Sequence, residues 1–231
     1  MYTRYVWTPA PRPSVAVAGT EDRFAVRRIF CVGRNYAEHV REMGGDPKSD
    51  PPIFFTKPAD AIVASGNTVP YPPHTSDLHY EAELVVALKG GGSDIPQQQA
   101  LSHVFGYAVG NDLTRRDLQH SARDQGLPWD MSKGFDASAQ IGAITPVERF
   151  GPPAAQSIWL TVNGQQRQRS VLSQMIWSVP EIIELLSGFV ALQAGDLIYT
   201  GTPDGVGPLQ RGDQVRAGID GLDELEFRIA G

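Results

Sequence analysis

The sequence has one cysteine, no block of basic residues and no long apolar run, and each absence closes off a class of function. The lone thiol, Cys31, has no partner in the chain for a disulfide, and in the apolar run IFCVG it reads as a small core residue. Twenty Lys and Arg stand against 26 Asp and Glu, a net charge of −6, and no aromatic cluster lies among basic residues. That argues against a nucleic-acid surface. No apolar stretch approaches the roughly 20 residues that cross a bilayer, and the start, MYTRYVWTPAPRP, lacks the uninterrupted apolar segment of a signal peptide. A cytoplasmic protein bound to neither membrane nor nucleic acid is expected.

The 231 residues, 41% hydrophobic and 20% charged, are enough for one sizeable core. No linker divides them. Residues 1–27 read as a proline-rich arm and short strands packed on a core domain of residues 28–231. SVAVAG and FAVRRIFCVG suit short strands around a turn at residues 19–22. GRNYAEHVREMGG suits a short helix ending at Gly44–Gly45, because DPKSDPP cannot continue it. PIFFTKP, DAIVASG and FGYAVG look extended. TRRDLQHSARDQG predicts a helix with its N-cap at Asp112 or Thr114 and a glycine stop at Gly126. Asn163–Gly164 between two alternating runs predicts a hairpin. SVPEIIELLSG predicts a helix with a Ser178–Glu181 capping box, Pro180 in the first turn and a stop at Gly188. LQAGDLI and LQRGDQV read as two similar turns leading into strands rather than as a repeat. Many short strands and few helices predict a mixed α/β, β-dominated domain.

The stretch HYEAELVVALKG reads as a strand, so Glu81 and Glu83 share one face. Both faces continue apolar, one through Val85 and Ala87, the other through Tyr80, Ala82, Leu84 and Val86. A buried strand with two neighbouring carboxylates is unusual, since Glu-x-Glu most often marks a solvated edge. Asp112, in GNDLT, ends another apolar strand. Two like charges about 4 Å apart repel by roughly 4 kcal/mol at an effective dielectric of 20, so three converging carboxylates need a counter-charge. A divalent cation supplies it. With no cysteine or paired histidine, hard oxygen ligands favour Mg²⁺, with Mn²⁺ or Ca²⁺ as alternatives.

Six motifs occur in order: VGRNYAEHVREMG, FFTKPADAI, HYEAELVVAL, GYAVGNDLTRRDLQ, GLPWDMSKGFD and YTGTPDGVGPL. Together they resemble the fumarylacetoacetate hydrolase family from about Arg28 to the C-terminus. VAVAGTEDRFAVRRIFCVGRNYAEH and GLPWDMSKGFDAS are similar to that family's bacterial fumarylpyruvate hydrolases of gentisate degradation. The resemblance implies a β-roll of mixed sheets with a few short helices, usually a homodimer, binding Mg²⁺ or Mn²⁺ through Glu81, Glu83 and Asp112. It implies a His39–Glu42 pair and an active-site lysine, Lys133. It also places Thr202 and nearby backbone N–H groups at the α-keto-acid end of a substrate, with Arg34, Arg116 and Gln119 near the ligand. The implied reaction is hydrolysis of a carbon–carbon bond in an acylpyruvate, in particular 3-fumarylpyruvate to fumarate and pyruvate. Rival readings are an oxaloacetate decarboxylase or keto–enol tautomerase on the same metal site, and a metal-dependent binding module without turnover.

Read for themselves, these residues have plainer explanations too. His39 and Glu42 are helical neighbours at i, i+3, and with Glu38 and Arg41 they suit a mixed-charge surface helix as well as a base with its orienter. Lys133 lies in a stretch without regular pattern, and lysines are mostly exposed; beside a metal its pKa should fall, and it could donate to a developing enolate. TGTPDGVG lacks the Gly-Lys-Ser/Thr ending of a phosphate loop, which disfavours nucleotide binding. His79 suits a supporting position beside the carboxylates, His74, His103 and His120 suit the surface, and Lys57 is a weak candidate.

Overall fold

In the strand Ala82–Leu88 every residue is buried, yet its two faces go to different places. Ala82, Leu84, Val86 and Leu88 enter a larger core with Ile158, Leu160, Val215 and Ala217. Val85 and Ala87 enter a smaller one with Ile29, Cys31, Ala108 and Tyr199. A strand covered on both sides carries no polar face, which is why its alternation is invisible in hydropathy. The computed structural model describes residues 4–42 and 51–231.

The central sheet has eight strands. Its path runs Ile53–Lys57, Arg28–Gly33, Asp196–Tyr199, Ala82–Leu88, Val104–Asp112, Ala139–Ile141 and Ile62–Ala64, and Thr145–Pro146 also pairs with Val104–Asp112. Two junctions are parallel, Asp196–Tyr199 with Arg28–Gly33 and Ala139–Ile141 with Ile62–Ala64. A five-stranded sheet, from Gln165–Val171 through Ser157–Val162, Gln214–Ile219 and Leu225–Ile229 to Thr68–Val69, supplies the other wall of the larger core. Thr114–Arg115, Leu78–Tyr80 and Gly207–Pro208 form a small third sheet. The fold is mixed α/β and strand-dominated, with six short α-helices among the described residues. None of the described helices is long and apolar enough to cross a membrane.

Local expectations meet the structure unevenly. Ser14–Ala16 and Arg23–Ala25 pair with each other, and Val15 and Val26 join the smaller core. Asn163 and Gly164 both take positive φ, 52° and 76°, as a two-residue turn between Ser157–Val162 and Gln165–Val171 requires. The two L-Q-x-G-D segments fold alike: the Asp196 and Asp213 carboxylates accept the N–H groups of Gln193 and Gln210 at 2.9 and 2.7 Å. The capping box at Ser178 and Glu181 is present, but Gly188 does not end that helix, which continues to Phe189. The helix Arg116–Gln125 stops at Gly126 in the left-handed region, φ 66°, as expected. Its N-cap is neither Asp112 nor Thr114 but Arg115, without a side-chain cap. The Thr114 hydroxyl donates instead to the Asp112 carbonyl at 3.0 Å. The helix holding His39 spans Ala37–Glu42, and its expected end at Gly44–Gly45 lies outside the described residues.

Gly110 stands opposite Glu83 in the antiparallel register, on the face that leads to the carboxylates. A Cβ there would lie 2.4 Å from Val85 Cγ2 and 2.7 Å from Tyr199 Cε1, both fully buried. Gly110→Ala should therefore cost about 1–3 kcal/mol through overpacking. Urea denaturation would register this as a lower midpoint at unchanged slope; an unshifted midpoint would mean the sheet accommodates the methyl group freely.

Candidate active site

The strand expected over HYEAELVVALKG is in fact two, Leu78–Tyr80 and Ala82–Leu88, broken at Glu81. The break has a cause. The Glu81 N–H donates to the Asn111 side-chain carbonyl at 2.9 Å, while the Glu81 C=O accepts the Asp112 N–H at 2.9 Å. Asn111 is itself fixed by donating to Gln140 Oε1 at 2.7 Å. The backbone thus passes from one sheet to another at Glu81 and sets its carboxylate beside that of Asp112. Glu83 points the same way two residues on. The three carboxylates offer ligand oxygens within 4.8 Å of one another, and all three residues are buried.

Cations from three further segments answer this charge. Lys133 Nζ lies 2.8 Å from both Glu81 Oε2 and Asp112 Oδ2. Lys57 Nζ lies 2.7 Å from Asp112 Oδ1 and also donates to the Leu113 and Lys133 carbonyls. Arg116 donates to Glu81 Oε1 and to Gln119. Burial works against ionising Glu81, but Lys133 and Arg116 outweigh it and hold its pKa well below the carboxylate range. Glu83 is served differently. It accepts the Gly201 N–H at 2.8 Å, and no cation among the described residues pairs with it. Burial first, then the Asp112 and Glu81 charges, push its pKa well up. Burial would lower the Lys133 value, but the Asp112 and Glu81 charges win and raise it. Lys133 also sits at the end of a short helix, Asp130–Lys133, rather than in an irregular loop.

Three hard oxygen donors, one of them short of a counter-charge, fit a divalent cation of the Mg²⁺, Mn²⁺ or Ca²⁺ kind. Glu81, Glu83 and Asp112 would hold it.

His39 lines the same cavity as the three carboxylates and is buried. Its Nδ1 lies 3.2 Å from Glu42 Oε2. Glu42 also accepts the Gly205 N–H, 3.3 Å from each oxygen. The hydrogen bond from His39 and the Gly205 N–H hold the Glu42 pKa down against its partial burial. An ionised carboxylate only accepts, so Nδ1 carries a proton, and in the neutral ring Nε2 is the basic nitrogen. Those are the requirements of a general base.

Supporting contacts explain the remaining positions. Arg116 Nε donates to His79 Nδ1 at 3.3 Å, so the His79 proton belongs on Nε2, 2.9 Å from Asp77 Oδ1. Burial and the Arg116 charge lower the His79 pKa, consistent with that neutral tautomer. Gln168 accepts the Ala82 N–H and donates to Thr202 Oγ1 at 2.8 Å, which leaves the Thr202 proton available to another acceptor. Arg34 lines the cavity from a left-handed backbone position, φ 62°, unusual for a residue with a Cβ.

The sequence undervalued Lys57, which is buried against Asp112; His120 is exposed, as expected, and also borders the cavity. Arg123, Phe55 and Trp129 border it as well. The i, i+3, i+4, i+7 spacing of Arg116, Gln119, His120 and Arg123 is a signal that could have found two of these. Asn111, Gln140 and Gln168 act through partners up to 86 residues away, and no local pattern announces them.

Residues 28–230 match the family described as fumarylacetoacetate (FAA) hydrolase, C-terminal. A crystal structure of fumarylpyruvate hydrolase from Pseudomonas aeruginosa, in complex with Mn²⁺ and pyruvate, is 50% identical, covering 98% of this chain and 99% of that one at a TM-score of 0.96. The mitochondrial oxaloacetate tautomerase FAHD1 of Mus musculus is 43% identical over 203 residues, 88% of this chain and 91% of the relative. The structure of 2-hydroxyhepta-2,4-diene-1,7-dioate isomerase from Mycobacterium marinum is 32% identical, covering 90% and 75% of the two chains at a TM-score of 0.78.

Proposed function

The chain belongs to the fumarylacetoacetate hydrolase family, and from that premise we propose that it hydrolyses a carbon–carbon bond in acylpyruvates, with 3-fumarylpyruvate, water, fumarate and pyruvate as the reactants and products. The observation that carries this reading is that His39, oriented by Glu42, opens onto the same cavity as Glu81, Glu83 and Asp112. Hydrolysis and enolisation both need a proton acceptor, but only hydrolysis needs one that activates water, a role suited to a histidine held by a carboxylate.

A hard divalent cation held by Glu81, Glu83 and Asp112 supplies a Lewis acid that favours negative charge on an α-keto acid. The chain's own residues do the rest. The Thr202 hydroxyl and neighbouring N–H groups hold the keto-acid end, with Arg116 and Gln119 beside it. His39 Nε2 takes a proton from water, and Glu42 stabilises the imidazolium that results. The oxygen of that water bonds to the distal carbonyl carbon. The bond from that carbon to the methylene then breaks, and its electron pair leaves with the methylene as the enolate of pyruvate. Lys133, held protonated by Glu81 and Asp112, donates to the developing negative charge; losing one such donor typically costs about 3 kcal/mol of transition-state stabilisation. A proton returned to the methylene carbon completes pyruvate, and the acyl group departs as its carboxylic acid.

The similarity to a protein named oxaloacetate tautomerase favours a second reading on the same site. There Lys133 and the carboxylate cluster assist enolisation, and no water attacks. With Mg²⁺ present, loss of the fumarylpyruvate enol absorbance should match pyruvate release one for one. Rapid keto–enol exchange of oxaloacetate with no pyruvate formed from fumarylpyruvate would instead establish the tautomerase.

A further inference from the structure

Four side chains of the helix Arg116–Gln125, spaced i, i+3, i+4 and i+7, face the carboxylate cavity: Arg116, Gln119, His120 and Arg123. The first two are buried, and Arg116 touches Glu81. The last two are exposed, so this face runs from the floor of the cavity to its mouth. Phe55 and Trp129 form an apolar wall along the same path, their rings meeting edge-on at 5.8 Å. Arg123 and Trp129 also border the adjoining cavity, so the path stays open beyond them.

From this arrangement we infer that Arg123 is a specificity residue, receiving the terminal carboxylate of a dicarboxylic acylpyruvate whose acyl chain lies along Phe55 and Trp129. The inference rests on the acylpyruvate reading above. Seven helical residues advance about 10 Å from Arg116 to Arg123. Six carbon–carbon bonds separate the carboxyl carbons of fumarylpyruvate, roughly 7–8 Å when extended, and the guanidinium reach closes the gap. Oxaloacetate has three such bonds and keeps both carboxylates near the floor. The flat, conjugated acyl chain suits an aromatic wall. Asp124 Oδ1 holds Arg123 Nε at 3.1 Å, which leaves the terminal nitrogens as a fork that matches a carboxylate.

The test compares kcat/KM for fumarylpyruvate and for acetylpyruvate, which has the same pyruvoyl end but no terminal carboxylate. Wild type, Arg123→Gln and Arg123→Lys are measured with Mg²⁺ present. In Arg123→Gln the ratio of the two values should fall by about tenfold or more, mainly through KM for fumarylpyruvate. Lys should restore part of it. Comparing the two substrates within one variant cancels any general damage to the site. A ratio within about twofold of wild type, in protein that cleaves both substrates, overturns the inference. Wild type that cleaves neither overturns the acylpyruvate reading, and this inference with it.

Discussion

His39→Ala should lower fumarylpyruvate turnover by about 10²- to 10⁴-fold, the usual worth of a positioned general base, while Mg²⁺ affinity stays close to that of the wild type. The separation follows from the geometry. His39 reaches Glu42 and the cavity but is no member of the cluster of metal-ligating oxygens, so its loss removes proton transfer and leaves the cation's donors in place. Steady-state kinetics with Mg²⁺ titrated in parallel distinguishes the two effects. Wild-type turnover in this variant would remove water activation by His39 from the mechanism.

Glu83→Gln should lower Mg²⁺ affinity by at least about 100-fold, the upper end of what even supporting residues of metal sites contribute, and abolish turnover. Its effect on the metal-free protein should be opposite in sign. Glu83 is buried, carries a raised pKa and has no cation partner among the described residues. A carboxyl group whose folded-state pKa lies above its unfolded value destabilises the fold at any pH above the unfolded value, increasingly as pH rises towards the folded one. The amide is never ionised and still offers Gly201 an acceptor oxygen. Metal-free Glu83→Gln should thus melt at or above the wild-type temperature at neutral pH, and the Mg²⁺-induced rise in melting temperature seen for wild type should disappear. Asp112 is the instructive contrast. It pairs with both Lys57 and Lys133, so Asp112→Ala strands buried ammonium groups and should destabilise the fold by about 3–5 kcal/mol with or without metal. A Glu83→Gln protein that binds Mg²⁺ as the wild type does would contradict the ligand assignment.

How far the sequence reveals this site depends on how local each contribution is. Glu81 and Glu83 stand out because a carboxylate on a strand buried on both faces violates an ordinary expectation, and the same logic flags Asp112 at the end of Val104–Asp112. The capping box at Ser178 and the turn at Asn163–Gly164 are legible because their physics closes within four residues. Asp112 as a helix cap was the natural local reading, and it fails because two lysines, 55 and 21 residues away, compete for the carboxylate and win. The break at Glu81 is equally hidden. It is imposed by Asn111, 30 residues on, replacing a ladder partner with a side-chain amide. Gly188 has helix propensity against it, yet the helix carries on one residue to Phe189, and the Val190 N–H closes its last turn on the Leu186 carbonyl. The counter-charge that the three carboxylates need does not fall to a cation alone, because Lys57, Lys133 and Arg116 share that work, from positions that no local pattern links to the carboxylates.

The gathering of Glu81, Glu83 and Asp112 around one divalent ion underlies both enzymatic readings and the reach argument for Arg123. Anomalous diffraction from crystals of this protein equilibrated with Mn²⁺ and pyruvate tests it directly. A single strong peak touching one oxygen of each of the three carboxylates, with pyruvate beside it, is the expected result. A peak that engages other residues, or none at millimolar Mn²⁺, would contradict it.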